Sequence, residues 1–317
     1  MATELHQLSA TDAATKIAAR EISSEDLVRG CLDFIASRED EVGAWHVLDP
    51  DFAIAEARRA DASAPLSPLH GVPFGVKDVI DTGDLPTGYG SAIYEGHQPD
   101  ADSACVATMR HAGAVLMGKT VSTEFATYQP GKTRNPHNAA HTPGGSSSGS
   151  AAAVGGEMVP LAFGNQTAGS LIRPAAYCGA HAFKPTHGTV NLGGIFELVP
   201  RLDTLGYMAR SVDDIAAFYD VVRGTEGSAP LADGLGRPPR IGICRTPHWK
   251  EAQPESVEAV ESAAARFTEL GAEVGYYELP DRFADLAQTH TTVLCAGLAR
   301  SMADIHKNHG NEISEIL

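Results

Sequence analysis

Short apolar runs alternate with helix-length segments through the first two thirds of this chain, and that alternation confines it to a narrow set of folds. Ala44 to Leu48, Val72 to Val76, Ala114 to Met117 and Val159 to Phe163 read as strands. Between them lie an Ala- and Arg-rich helix, a helix over Ala104 to His111 and an Ala-rich helix over Ser150 to Val154. Residues 8 to 40 read as two amphipathic helices, the second opened by Ser23 or Ser24 ahead of Glu25 and Asp26. Ser211 caps a helix over residues 211 to 222. The tail reads strand (Arg240 to Cys244), helix (Pro254 to Leu270), strand (Glu273 to Leu279), a βαβ-like unit able to form its own lobe. The expectation is an α/β protein built on a mixed, largely parallel β-sheet with helices on both faces.

Composition narrows the function classes. The 317 residues are 43% hydrophobic and 20% charged, with a formal net charge of -16. Nucleic-acid binding is not expected, because phosphate contacts need clustered Lys and Arg. The N-terminus, Met1 to Gln7, lacks the basic-then-apolar pattern of a signal peptide, and no stretch approaches the ~20 apolar residues of a membrane span. The five cysteines, Cys31, Cys105, Cys178, Cys244 and Cys295, form no C-x-x-C pair. A cytoplasmic protein with buried, reduced thiols is expected.

Residues 127 to 148 carry no periodicity and read as a long functional loop. The loop ends in Gly144-Gly145-Ser146-Ser147-Ser148-Gly149-Ser150, which offers several chemistries. Gly145-x-Ser147-x-Gly149 matches a nucleophile elbow, but that motif needs an apolar strand directly before it, and Asn135 to Pro143 cannot supply one. A phosphate loop would need a lysine after its last glycine. His137 and His141 stand four apart but are bracketed by Pro136 and Pro143, against the helical spacing a metal pair would use. The stretch Ala175 to Ala182, with Cys178 and His181, reads as buried core.

What remains is a set of hydroxyls and one odd lysine. Lys77 closes the apolar run Val72 to Val76, an unusual place for a surface cation. It could snorkel or pair with Asp78 or Asp81. Buried among hydroxyls, it would instead lose its charge to desolvation and become a base. The chain would then hold a nucleophilic serine, a relaying serine and an amine acceptor, the parts needed to activate a hydroxyl without histidine.

In this combination the chain resembles the amidase signature family. The resemblance runs from Gly71-Val72-Pro73-Phe74-Gly75-Val76-Lys77-Asp78 through Leu85-Pro86-Thr87, Gly118-Lys119-Thr120 and Thr123-Glu124-Phe125-Ala126. It continues through the Gly/Ser run, Gln166 to Pro174, Cys178-Gly179, Phe183-Lys184-Pro185-Thr186 and Leu202-Asp203-Thr204-Leu205-Gly206. It implies the amidase signature fold and a Ser–cisSer–Lys set, with Ser170 as nucleophile, Ser146 as the bridging serine on a cis peptide bond, and Lys77 as base. Thr167, Ala168, Gly169 and Ser170 would supply the oxyanion hole. Ala126, Thr127 and Tyr128 would line the acyl side of the pocket.

The implied activity is hydrolysis of a small amide through an acyl-enzyme, with no metal or organic cofactor. The same family includes carbamate and urea-derivative hydrolases and the A-type component of glutamyl-tRNA amidotransferases, which needs partner subunits. A non-catalytic binding or scaffold relative is the alternative outside enzymology. The expected partner is a small-molecule amide, with a homodimer as the one self-assembly considered. Leu171-Ile172-Arg173-Pro174 departs from members that carry two glycines and an arginine nearer the serine. The chain is also C-terminally short against typical members. The expected organisation is an N-terminal helical segment over 1–65, a catalytic core over 66–225 and an incomplete βαβ-like lobe over 226–317.

Overall fold

The computed structural model describes residues 4–225, 236–246 and 248–317. The expected boundary at residue 226 and the first three residues of the Met1 to Gln7 reading lie outside the described residues. The chain divides into two compact units, one formed by Met1–Ser228 with Gly297–Leu317, the other by Ala229–Ala296.

The first unit holds a six-stranded sheet made of β1 (Trp45–Leu48), β2 (Pro73–Lys77), β3 (Val115–Thr120), β4 (Leu161–Gln166), β5 (His181–Phe183) and β6 (Thr204–Ala209). Their spatial order is β1-β3-β2-β4-β6-β5. The central β2 pairs in parallel with β3 on one side and β4 on the other. β1 runs antiparallel to β3, β6 antiparallel to β4, and β5 antiparallel to β6. Reversed twice, β5 recovers the direction of the central three, so four of the six strands run one way and the sheet is mixed. β2, β3 and β6 are buried along their whole length. Strands covered on both faces read as continuous apolar runs, which is why β2 and β3 stand out in the sequence.

Successive residues of β4 show that helices cover both faces. Ala162 packs in a core with Ala151, Ala152 and Ala153 of α5 (Ser148–Gly155), along with residues of α2 (Ser24–Val42) and α3 (Pro50–Asp61). The next residue, Phe163, packs at a tilt against Phe218 of α7 (Val212–Arg223), with ring centroids 4.5 Å apart. Neighbours along a strand point to opposite faces, so the two helical layers are distinct. The predicted caps are in place: Ser23 and Asp26 form a reciprocal capping box, and Ser211 accepts from Asp214 N.

Among the elements that escape the sequence pattern are β5, β6, α6 (Ile172–Cys178) and the two last helices, Leu286–Ser301 and Ala303–His309. β6 carries Gly206 mid-strand, which breaks a β-propensity reading. The glycine is there because a Cβ would lie 2.1 Å from Leu171 Cδ2. The expectation that Ala175 to Ala182 is buried throughout needs correction. Only Ala175 and Cys178 are buried, because α6 turns a second face, with Ala176 and Tyr177, to solvent.

In the second unit, β7 (Arg240–Cys244) and β8 (Glu273–Tyr277) pair in parallel, with α8 (Pro254–Glu269) between them in sequence. The lobe expected over 226–317 ends sooner than that. Residues 297–317 belong to the first unit, where Met302 and Ile305 pack on Phe125. Among the described residues no helix is long and apolar enough to cross a membrane.

The small residues of α5 are a packing requirement. A Cβ at Gly149 would lie 2.2 Å from Ala44 O and 2.3 Å from Val121 N, both backbone atoms that cannot swing aside. Gly149→Ala is therefore expected to lower the unfolding free energy by about 1–3 kcal/mol. Gly275→Ala, with open space around its Cβ, is expected to stay within about 0.5 kcal/mol of wild type. Equilibrium urea unfolding of both variants checks the contrast.

Candidate active site

The C-terminal ends of β2 and β4 lie side by side, and each contributes a polar group to one buried point. Lys77, the last residue of β2, is fully buried. Its Nζ lies 2.7 Å from Ser146 Oγ and 2.6 Å from Asn165 Oδ1 on β4. Neither Asp78 nor Asp81 pairs with it. Asp78 accepts from Gly88 N and Gly90 N, and Asp81 accepts from Tyr89 Oη–H. Burial drives the Lys77 amine well below the ordinary lysine range, and the carboxylate of Asp203 opposes that shift. Asp203 is itself engaged, accepting from Thr167 Oγ1 at 2.6 Å and from Leu198 N and Val199 N at 2.8 Å.

The backbone around Ser146 is gripped at three successive points. The Gly145–Ser146 peptide bond is cis. Arg173 donates to Gly145 O from Nη2 at 2.7 Å and from Nε at 3.2 Å. Thr123 N donates to Ser146 O at 3.2 Å, and Ser147 N donates to Ser170 O at 3.1 Å. Ser147, the serine of the elbow-like motif, is fully buried and its hydroxyl donates to Asn165 O. That leaves it tied to the backbone rather than presented to a substrate.

Ser170 stands on the turn from β4 into α6, partly exposed. Gln166 Oε1 shapes this turn by accepting from Leu171 N and Ile172 N, both at 3.1 Å. The structure thus brings Lys77 and Ser146 into direct contact and joins Ser170 to them through the backbone of Ser147. Among the described residues there is no hydrogen bond between the Ser146 and Ser170 hydroxyls, and the N–H groups of Thr167, Ala168, Gly169 and Ser170 donate to no internal acceptor. Catalytic hydrogen bonds often tighten only once substrate is present.

Ala126, Thr127 and Tyr128 follow a turn that Thr123 anchors to Ser146 O. Phe125 (φ 47) and Ala126 (φ 58) both take left-handed backbone angles, uncommon for residues with a Cβ. Phe125 N is held by Tyr89 O and Ala126 N by Thr123 O. Ala126 is buried, Thr127 half-buried and Tyr128 exposed, so the three do not present a single surface. His137 Nε2 bonds to Cys178 O at 2.8 Å, packing the loop. Burial pushes the Cys178 thiol up to about 12.

Residues 26–316 match the family model described as Amidase. This chain belongs to the amidase family. Among curated relatives, the A-type component of the glutamyl-tRNA(Gln) amidotransferase of Roseiflexus castenholzii is 40% identical over 301 residues, covering 88% of this chain and 61% of its own length. The protein of the same name from Mycobacterium bovis is 37% identical over 306 residues, with 88% and 62% covered. The chain thus spans about six tenths of the length of these relatives. Among solved structures, the native peptide amidase of Stenotrophomonas maltophilia superposes with a TM-score of 0.82 at 30% identity, over 98% of this chain and 73% of its own. 6-Aminohexanoate cyclic dimer hydrolase gives 0.83 at 30% identity, over 99% of this chain and 69% of its own. A further amidase structure gives 0.89 at 27% identity, over 98% and 72%. These neighbours place the amidase-family sheet and helices in the α/β class.

Asn165, Arg173 and Asp203 are the site residues that pattern reasoning left without a role. Asn165 is legible only as a polar side chain inside the apolar run of β4. The roles of Arg173 and Asp203 depend on contacts 28 and 36 positions away along the chain.

Burying an uncharged lysine leaves a thermodynamic signature. From its lowered native pKa up to the ordinary 10.5, the unfolded chain carries a proton that native Lys77 has shed. Stability therefore rises with pH across that window. Lys77→Met lacks this contribution. The difference in unfolding free energy between wild type and Lys77→Met should move in favour of wild type by about 1.4 kcal/mol per pH unit within the window. Paired urea titrations at several values from pH 6 to 10 measure it; a constant difference would mean that native Lys77 is charged.

Proposed function

We propose that this chain carries the catalytic machinery of an amide-bond hydrolase acting through an acyl-enzyme. Ser170 is the nucleophile, Ser146 the proton relay and Lys77 the base. The observation that carries this reading is the fully buried Lys77 amine, with a serine hydroxyl at 2.7 Å and, among the described residues, no carboxylate in contact. A neutral amine has two N–H bonds and one lone pair. One N–H is satisfied by Asn165 Oδ1, and rotation about the Cε–Nζ bond can bring the lone pair to the Ser146 hydroxyl at 2.7 Å.

The Ser170 hydroxyl attacks the substrate carbonyl as its proton passes to Ser146 Oγ and the Ser146 proton passes to Lys77 Nζ. The developing oxyanion is taken up by the N–H groups of residues 167–170, worth about 3 kcal/mol per donor. The relay then runs backward. Ser146 protonates the leaving amine, ammonia or a primary amine departs, and the ester on Ser170 remains. Water resolves the ester by the same route. Ala126, Thr127 and Tyr128 flank the acyl side. The family membership and the likeness to a peptide amidase and a cyclic-dimer hydrolase support a C–N hydrolase; a small linear amide is the substrate this reading proposes.

A second reading is favoured by the curated relatives, which are named as A-type components of amidotransferases. There the same chemistry would release ammonia inside an assembly with partner subunits. Recovery of the chain from its native source in a stoichiometric complex, with amide hydrolysis only in that complex, would favour this reading.

Two measurements test the hydrolase. A fluorophosphonate should modify Ser170, located by peptide mass spectrometry, and Ser170→Ala should abolish the adduct; a chain that takes no label would point instead to a binding relative. Lys77→Ala should slow turnover of a responsive amide by roughly 10²–10⁴-fold. Because the base acts only when uncharged, the wild-type rate should climb from neutral into mildly alkaline pH. A rate constant flat from pH 5 to 9 would contradict the relay.

A further inference from the structure

A second lysine, Lys119 on β3, is also fully buried beside the site, yet it meets a different set of partners. Its Nζ donates to the carbonyl of Ile80 and to Thr87 Oγ1 at 2.7 Å, with Thr82 Oγ1 at 3.5 Å. Ile80 belongs to the turn that directly follows Lys77. Lys77 O accepts from Val79 N at 2.8 Å and from Ile80 N at 3.0 Å. The Ile80 residue therefore ties the Lys77 carbonyl through its N–H and the Lys119 ammonium through its C=O. Asp78 closes the same loop from the other side, accepting from Gly88 N at 3.0 Å and Gly90 N at 3.3 Å while its own N donates to Thr120 O at 2.9 Å.

Burial acts on both lysines, and the carboxylates that oppose it differ. Burial pulls Lys119 down to about 8, with Asp78 and Asp81 working against that pull. Below that value Lys119 is largely the cation that donates, whereas at Lys77 the carboxylate of Asp203 opposes the shift. An apolar side chain of similar length would fill the space but leave Ile80 O and Thr87 Oγ1 without their donor, a cost that buried polar groups do not escape.

We propose that Lys119 is a positioning residue, whose ammonium clamps the turn after β2 and so holds the Lys77 amine against Ser146. The proposal rests on the reading of Lys77 as the base, and it acts through that residue alone, since Lys119 touches neither serine. Displacing a base by about 1 Å costs roughly 100-fold in rate. Loss of a single hydrogen bond from a charged donor costs roughly tenfold.

The test measures both the rate and the end-point of Ser170 labelling by a fluorophosphonate in the full chain. For Lys119→Met the rate constant should fall roughly 100-fold, with the final stoichiometry unchanged. For Thr87→Val, which removes one acceptor and keeps the shape, it should fall roughly tenfold, again with full stoichiometry. A merely structural lysine would lower the end-point, by reducing the folded fraction, and leave the rate constant of the folded remainder at the wild-type value; that result overturns the proposal. Should Lys119→Met fail to fold, Thr87→Val decides by the same criterion. If wild type itself takes no label at Ser170, the hydrolase reading fails. The positioning is then judged from the crystal structure of Thr87→Val or Lys119→Met: a Lys77 Nζ moved out of hydrogen-bond reach of Ser146 Oγ supports it, and an unchanged contact overturns it.

Discussion

An amine enclosed by protein, with two neutral oxygens for partners and no carboxylate against it, is the constraint around which this site is built. Water would stabilise a charged lysine by far more than Ser146 Oγ and Asn165 Oδ1 can. Burial therefore pushes the group toward giving up its proton, which is what the proposed relay asks of its base. Everything adjacent is consistent with that direction. The carboxylates on the following turn are bound to backbone N–H groups and to Tyr89, and Asp203 is committed to Thr167 and the Leu198–Val199 backbone.

The sheet explains how such a group is held. β2 lies at the centre of the sheet, hydrogen-bonded on both sides, so Lys77 is placed by backbone pairing rather than by its own contacts. Its neighbour strand β4 delivers Asn165 and then the turn with Ser170, while α5 packs beneath on glycine and alanine and brings Ser146 with it. Arg173, Thr123 and Ser147 fix three consecutive backbone positions around Ser146. The proposed clamp of Lys119 acts at the point where β2 ends. Both lysines are enclosed, and they differ in what faces them.

Much of this was legible in the sequence because it violates a local rule. A lysine closing an apolar run is anomalous, and the anomaly marked Lys77. Buried central strands read as unbroken apolar runs, which located β2 and β3, and capping residues located the starts of α2 and α7. Legibility failed where the cause is tertiary. Gly206 weakens the pattern of β6 for the sake of the Leu171 side chain packed over it, and β5 is three residues long. Asn165 looks like one polar residue in a strand until β2 and β4 are set side by side. Lys119 carries the same burial as Lys77, and nothing local distinguishes a clamp from a base. The turn at Phe125 and Ala126, left-handed without glycine, carries no sequence signal at all.

The protonation state of Lys77 can be read directly. With lysine side chains labelled in 13C and 15N, and Lys77→Met used to assign the resonance, the Nζ and Cε shifts of Lys77 are followed against pH. A transition lying well below that of the exposed lysines is expected, since burial lowers the Lys77 amine. An ammonium signal that persists at Lys77 until pH 10 would contradict the base assignment and the relay built on it.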